Sequence, residues 1–201
     1  AHREAEHYQT PLLGQHQVDN AGLAIQLCDL YCQSKQLPLL PKEQVGAALL
    51  ATNWPGRMEQ ISHQPHIILD GAHNPHAMER LTGTLNRHYP ELDKKILFSC
   101  IQTKSLEEMV GQLKQVPKSQ LILTSFADPR SFSKEKMEAL ACEQGLNYAA
   151  WQDFLEAYLK AEHRNDELLL ITGSLYFLAQ VRAYIIDKEK EHRSEYGHEE
   201  N

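Results

Sequence analysis

The alternation of strand-like and helix-like segments after residue 55 is the feature that most constrains the fold. Short apolar runs typical of buried strands occur at residues 67–69, 96–101, 121–124, near 148 and at 168–172. Helical patterns lie between and after them, at residues 75–88, 105–115, 133–144, 151–161 and 174–190. Such alternation is typical of βαβ units, whose crossovers are right-handed. It therefore predicts a doubly wound, mostly parallel α/β sheet with helices on both faces.

The first fifty residues have a different pattern. Apolar side chains recur every three or four positions over residues 16–34, which predicts an amphipathic helix, and a second short helix is predicted over 42–51. The turn-forming residues Trp54, Pro55 and Gly56 then interrupt the chain. We therefore expect three parts: a helical end of a preceding domain at 1–50, an α/β domain at 51–187, and a charged, disordered tail at 188–201.

Composition excludes some classes of function. The formal net charge is −7, which argues against nucleic acid as a partner because backbone binding needs a basic face. No apolar run reaches the roughly 20 residues that span a bilayer, and no signal-peptide pattern opens the chain. Cys28 and Cys32 share a predicted helix face but have no further zinc ligands nearby. The sequence thus predicts a cytoplasmic protein with reduced thiols, bound to neither nucleic acid nor membrane.

The string LDGAHNP, at residues 69–75, follows the first predicted strand of the α/β domain. Ligands bind beyond the carboxyl ends of strands in open α/β sheets, so Asp70 and His73 lie where a ligand would bind. Asn74 suits the N-cap of the next helix and Pro75 its first position, which leaves Asp70 available to accept hydrogen bonds from ribose hydroxyls. Asp70 as a helix cap and His73 as a purely structural residue remain the alternatives.

The string ITGSLYF, at residues 171–177, joins the last predicted strand to the last predicted helix. Free backbone N–H groups and the Ser174 hydroxyl at a helix N-terminus suit a carboxylate or phosphate. The alternative is that Ser174 serves only as an N-cap, and the two roles are compatible. Lys104 and Arg130 follow two other predicted strands. Cations at this edge suit an anionic ligand, but surface lysines and arginines are also common.

The string PGRME, at residues 55–59, places Arg57 directly after a Pro-Gly turn. Its planar guanidinium could clamp a phosphate or carboxylate, or form a surface salt bridge. The sequence contains no G-x-x-x-x-G-K-[ST] loop, no G-x-G-x-x-G fingerprint and no acidic cluster spaced for magnesium. The chain could thus complete a nucleotide or anion site, but it has no phosphate cradle of its own.

These three strings, in this order and roughly this spacing, resemble folylpolyglutamate synthase and bifunctional dihydrofolate synthase of the Mur ligase superfamily. Residues 14–21, GQHQVDNA, also resemble the Gly-x-His-Gln-x-x-Asn-Ala segment of that family. The resemblance covers nearly the whole chain except the tail. It implies that the chain is the C-terminal part of a protein about twice as long, with a Rossmann-like C-terminal domain.

The resemblance implies an ATP-dependent ligase that works through an acyl phosphate. ATP phosphorylates a folate or dihydropteroate carboxylate, and the amine of L-glutamate then displaces phosphate to form an amide. The P-loop and the Mg²⁺ ligands are expected in an N-terminal ATPase-like domain that precedes this chain. The expected partners are ATP, L-glutamate and folate or dihydropteroate, in a cytoplasmic monomer.

The resemblance also implies roles for single residues. Asn20 corresponds to the adenine contact, Arg57 to a phosphate contact that helps domain closure, Asp70 to a ribose or nucleotide contact, His73 to the catalytic cleft near glutamate, and Ser174 with Tyr176 to the glutamate carboxylate site. One segment departs from the family: an Asp-Lys-Asp-like loop is replaced by Gln102-Thr103-Lys104-Ser105. Acidic contacts at that loop are therefore not expected.

Two other functions fit the same residues. One is a stand-alone α/β module that binds a nucleotide or anion without catalysis, and the other is the C-terminal domain of a peptidoglycan Mur ligase. The strings LDGAHNP and ITGSLYF fit the folate branch better. The sequence leaves open whether the product is dihydrofolate, polyglutamylated folate or both.

Overall fold

The computed structural model describes residues 6–103 and 105–196. The chain divides into two compact units, Ala1–Met58 and Glu59–Asn201. The boundary expected at residue 50 thus lies eight residues before the observed division. The Trp54–Arg57 turn stays with the first unit, where the Arg57 N–H donates to the Trp54 carbonyl oxygen at 3.2 Å.

The first unit contains the two predicted helices, α1 (Gln15–Ser34) and α2 (Lys42–Leu50). Few of its described side chains are buried, among them Gln17, Cys32 and Val45. The large apolar side chains of α1 that lie exposed are Val18, Leu23, Leu27, Leu30 and Tyr31. These helices therefore do not build a core of their own.

The second unit is built on a six-stranded sheet within the described residues. The strands are β1 (Glu59–His63), β2 (His66–Asp70), β3 (Asp93–Ser99), β4 (Ser119–Leu123), β5 (Asn147–Tyr148) and β6 (Glu167–Gly173). Their spatial order is β1-β2-β6-β3-β4-β5. Only β1 runs antiparallel to its neighbour, so the predicted mostly parallel sheet is confirmed. The strand β1 was not predicted.

Over residues 59–103 and 105–196 five helices accompany this sheet: α3 (Pro75–His88), α4 (Leu106–Leu113), α5 (Lys134–Gln144), α6 (Trp151–Lys160) and α7 (Leu175–Tyr196). The helix α7 continues through residues 188–196, which were expected to begin a disordered tail. The glutamates, lysines and arginine of that stretch favour helix even without an apolar face. The remaining residues of the expected tail, 197–201, lie outside the described residues.

The position of β6 determines where the helices pack. The chain passes from β2 to β3, β4 and β5 in one direction and then returns to insert β6 between β2 and β3. Right-handed crossovers place α3–α5 on one face of such a sheet and α6 on the other. Accordingly α3 packs against α4, while α6 and α7 share one buried cluster with alternate strand residues such as Leu97 and Ile171. Helices on both faces are thereby confirmed.

Candidate functional site at the carboxyl edge of the sheet

The two chemistry-bearing strings meet at one edge of the sheet. β2, β6 and β3 are parallel neighbours, so their carboxyl ends lie together. Asp70 is in register with Thr172, which is in turn in register with Phe98. The helix after β6 packs on the opposite face from the helices after β2 and β3, which makes β6 a topological switch point. A ligand crevice is expected at such a point.

The loop between β2 and α3 holds Asp70 and His73. Asp70 is only 9 % exposed, and its Oδ1 accepts the backbone N–H of Ala72 at 3.0 Å. His73 is exposed, and its Nδ1 donates to the carbonyl oxygen of Gly71 at 2.8 Å. A neutral His73 therefore carries its lone pair on Nε2. The loop thus offers the Asp70 carboxylate, which the Ala72 N–H holds in place, and the exposed Nε2 of His73.

The start of α3 shows which residue caps the helix. Asn74 is the N-cap, since its side chain accepts the N–H of Ala77 at 2.9 Å, and Pro75 is the first helical residue. Both assignments match the prediction from the sequence. The alternative role of Asp70 as the helix cap is therefore wrong.

The turn between β6 and α7 depends on a glycine. Gly173 has φ 122°, and a Cβ at this position would lie 1.9 Å from the carbonyl oxygen of Ser99. The next residue, Ser174, is buried, and its Oγ accepts the N–H of Tyr176 at 3.3 Å. The hydroxyl thus caps α7, as one of the two roles considered for it requires. The close approach of β3 and this turn fixes the backbone at the candidate anion site.

The loop after β4 reaches the same region through Arg130. The Arg130 guanidinium carbon lies 3.8 Å from the centroid of the Tyr176 ring. Asp128 accepts from Arg130 Nε at 2.9 Å and from Nη2 at 2.7 Å, which lowers the pKa of that carboxyl to about 2. The pairing also raises the pKa of Arg130. The structure thus brings Arg130 and Tyr176 together. Sequence reasoning missed Asp128 as the partner of Arg130, although the Asp-Pro-Arg spacing could have indicated that pairing.

Within the part of the chain that the structure describes, two buried hydroxyls at this edge have no hydrogen-bond partner. They are Ser99 Oγ at the end of β3 and Thr172 Oγ1 near the end of β6, in residues 1 % and 0 % exposed. Buried polar groups are almost always paired, so these atoms call for an explanation. No signal in the sequence distinguished them from ordinary strand residues.

Two further predicted site residues lie in the first unit. Asn20 and Arg57 belong to the first unit. There Asn20 Nδ2 donates to Gln17 Oε1 at 3.2 Å, and Arg57 Nη1 donates to the Gly56 carbonyl oxygen at 3.2 Å. Their nucleotide-binding roles stay predictions. Lys104, considered as a rim cation, lies outside the described residues.

The described residues offer no cation site. No group of three or more His, Cys, Asp or Glu side chains among them could hold a metal ion. No step of the reaction is therefore assigned to a metal held by these residues. None of the helices in the described ranges is long and apolar enough to cross a membrane.

The sequence model of one protein family matches most of the second unit and the turn before it. That family is described as Mur ligase, glutamate ligase domain, and the match covers residues 56–175. The chain belongs to this family. The matched stretch begins at Gly56, contains LDGAHNP and ends at Leu175, the first residue of α7, so it includes the Asp70–His73 loop and the Gly173–Ser174 turn. The resemblance drawn from the motifs is therefore confirmed at the level of the family.

Individual relatives point the same way. The dihydrofolate synthase/folylpolyglutamate synthase of Bacillus subtilis is 29 % identical over 88 % of this chain and 41 % of its own length. The folylpolyglutamate synthetase structure from Lactobacillus casei has a TM-score of 0.66 and 28 % identity over 89 % of this chain and 39 % of that one. Escherichia coli FolC in complex with ADP shares the fold, with a TM-score of 0.73 and 22 % identity over 92 % and 43 % of the two chains. This chain thus spans about two fifths of the length of these relatives and matches their C-terminal portion.

Proposed function

We propose that this chain is the C-terminal part of an ATP-dependent ligase that joins L-glutamate to the carboxylate of dihydropteroate or folate. The observation that carries the proposal is the adjacency of the Asp70–His73 loop and the Gly173–Ser174 turn at the switch point of a glutamate ligase domain. The names of the relatives support the folate branch over peptidoglycan synthesis.

The reaction needs an activated carboxylate because a carboxylate is a poor electrophile with a poor leaving group. A carboxylate oxygen of the pteroate attacks the terminal phosphorus of ATP, which gives an acyl phosphate and ADP. The glutamate nitrogen then attacks the acyl carbon, an amide bond forms, and phosphate leaves as the nitrogen gives up its proton. Excluding water protects the acyl phosphate from hydrolysis.

In this proposal Asp70 binds the ribose of ATP. Its carboxylate is nearly buried, ends a central strand and is held by the Ala72 N–H. A held carboxylate accepts hydrogen bonds from ribose hydroxyls with little loss of side-chain entropy. Asn20 and Arg57, in the first unit, are proposed as an adenine contact and a phosphate contact.

His73 is proposed as the catalytic residue near the glutamate amine. Its Nδ1 is committed to the Gly71 carbonyl oxygen, so Nε2 is the basic nitrogen, and the side chain is exposed at the edge of the sheet. A neutral imidazole with this geometry can accept the proton that the attacking nitrogen loses.

Ser174 and Tyr176 are proposed to bind a glutamate carboxylate. They lie at the N-terminus of the 22-residue helix α7, where the macrodipole and backbone N–H groups favour an anion. Arg130 packs on Tyr176 and adds a half-exposed cation to the same rim. In this proposal the end of β2 binds the nucleotide, and the end of the neighbouring strand β6 binds the amino acid.

The proposal is tested with the full-length protein that carries this chain. It is incubated with ATP, Mg²⁺, L-glutamate and either dihydropteroate or a folate, and products are identified by mass spectrometry. We expect a product heavier by one glutamyl residue, with ADP and phosphate formed in equal amounts. The matched control omits L-glutamate, and no glutamyl product is expected there. No glutamyl product with either pteridine substrate would contradict the proposal.

A further inference from the structure

The Thr172 hydroxyl is an unused polar group in the centre of the sheet edge. Thr172 is completely buried, and its Oγ1 has no hydrogen-bond partner among the residues that the structure describes. An unpaired buried hydroxyl costs folding free energy that the isosteric valine would not. A threonine at this position therefore weakens the ligand-free fold unless another state of the protein uses its hydroxyl.

Asp70 is the polar side chain next to Thr172. The two residues are register partners on the parallel strands β2 and β6, so they point to the same face of the sheet. Neighbouring strands lie about 4.8 Å apart, a separation that a threonine hydroxyl and a carboxylate oxygen can bridge. In the structure Asp70 Oδ1 instead accepts the N–H of Ala72, within its own loop.

We propose that Thr172 is a positioning residue for the Asp70 carboxylate in the nucleotide-bound state. When ribose hydroxyls draw the carboxylate toward the ligand, the Thr172 hydroxyl donates to it and fixes its orientation. The cost of the unpaired hydroxyl is then relieved by binding, which strengthens nucleotide affinity. This inference rests on the proposed function, because that proposal supplies the ligand at Asp70.

Ser99, the other unpaired hydroxyl, does not share this role. It is in register with Gly173 and therefore faces the opposite side of the sheet from Asp70 and Thr172. Ser99 lies on β3, which is separated from β2 by β6. The sheet itself therefore lies between the Ser99 hydroxyl and the Asp70 carboxylate. The alternation of side chains along the strands thus singles out Thr172.

The first test compares stability with substrate affinity in the full-length ligase. Thr172→Val is expected to leave the thermal midpoint without ligand unchanged or higher, yet to raise the KM for ATP roughly tenfold, the effect of one hydrogen bond to a charged group. The kcat and the KM for L-glutamate should stay near wild type, and Thr172→Ser should restore the KM for ATP. A lower midpoint, or a wild-type KM for ATP, would overturn the inference.

Thr124→Val is the matched control. Thr124 is also fully buried and directly follows β4, but β3 and β6 separate that strand from β2. The same substitution there is expected to leave the KM for ATP unchanged. If it raises that KM as much as Thr172→Val does, the effect is a general one of the sheet edge and the inference is wrong.

A double-mutant cycle identifies the partner of Thr172. In an Asp70→Ala background, Thr172→Val should add little to the KM for ATP, because the acceptor that Thr172 positions is gone. Additive effects would overturn the inference while leaving the proposed function intact. A full-length wild type without ATP-dependent glutamate ligation would instead overturn the proposed function, and this inference with it.

Discussion

Single residues at the carboxyl edge are constrained by close contacts rather than by bulk packing. Gly173 shows this most clearly, since its positive φ and the Ser99 carbonyl oxygen leave no space for a side chain. The glycine could be read from the sequence as part of Thr-Gly-Ser. The sequence does not show why this residue must be glycine, because Ser99 is more than seventy residues away along the chain.

Gly173→Ala is expected to prevent stable folding of the second unit. A Cβ 1.9 Å from a backbone oxygen can be accommodated only if β3 and β6 separate. The measurement is urea unfolding followed by circular dichroism. The control is Gly83→Ala, in an exposed position of α3 where a Cβ would meet nothing, which should raise stability by about 0.5–1 kcal/mol. Equal midpoints for the two variants would refute the steric account.

Asp128 gives the protein an acid-sensitive contact. Arg130 lowers the pKa of its carboxyl from the ordinary value to about 2, so the contact stabilises the folded state above about pH 4 and is lost as the pH falls toward 2. Asp128→Asn should remove this part of the pH dependence. The urea midpoints of wild type and variant are therefore expected to differ at pH 6 and converge near pH 2. A constant difference over this range would show that the pairing is not responsible.

The thiol of Cys100 should react with alkylating agents more slowly than the thiols of the exposed Cys28 and Cys142. Burial, with Glu107 nearby, raises the pKa of its thiol to about 12, so almost no thiolate exists at pH 8. Cys28 and Cys142 are exposed. Iodoacetamide at pH 8 is expected to label these two in the native protein and Cys100 only after denaturation. Labelling of Cys100 at the rate of Cys142 would contradict its burial.

Among the helices and strands, the sequence predicted best those elements whose ends are determined by nearby residues. The helix α3 was predicted with the bounds that the structure gives it, because a cap, a proline and an amphipathic face agree. The strand β1 was missed because Glu59–His63 is half-exposed and polar, and only pairing with β2 makes it a strand. The end of α7 was placed too early because charged residues suggested disorder.

The cap of α3 should contribute measurably to stability. Asn74→Ala removes the acceptor for the Ala77 N–H and is expected to cost about 1 kcal/mol in the free energy of unfolding. Asn74→Asp should retain most of the stability, since a carboxylate accepts the same bond and suits the helix N-terminus. Urea unfolding measures both. An alanine variant as stable as wild type would mean that water replaces the cap.

At the scale of the whole molecule, the candidate site depends on strand order. Asp70 and Thr172 become neighbours only because β6 inserts between β2 and β3. The sequence could predict that both strings end strands at one edge, but not which strands are adjacent, because strand pairing is non-local. Local motifs were enough to predict Asp70, His73 and Ser174 as candidates. The unpaired hydroxyl of Thr172 was missed because its position next to Asp70 depends on strand pairing. The roles of Asn20 and Arg57 stay predictions.

The most direct test of the central claim is a pair of Michaelis constants for the full-length ligase. In the proposed function the end of β2 binds the nucleotide and the start of α7 binds the amino acid. Asp70→Ala should therefore raise the KM for ATP at least tenfold and leave the KM for L-glutamate unchanged, while Ser174→Ala should do the reverse. If either variant changes both constants equally, or neither constant changes, the two strings do not serve two separate ligands and the account is wrong.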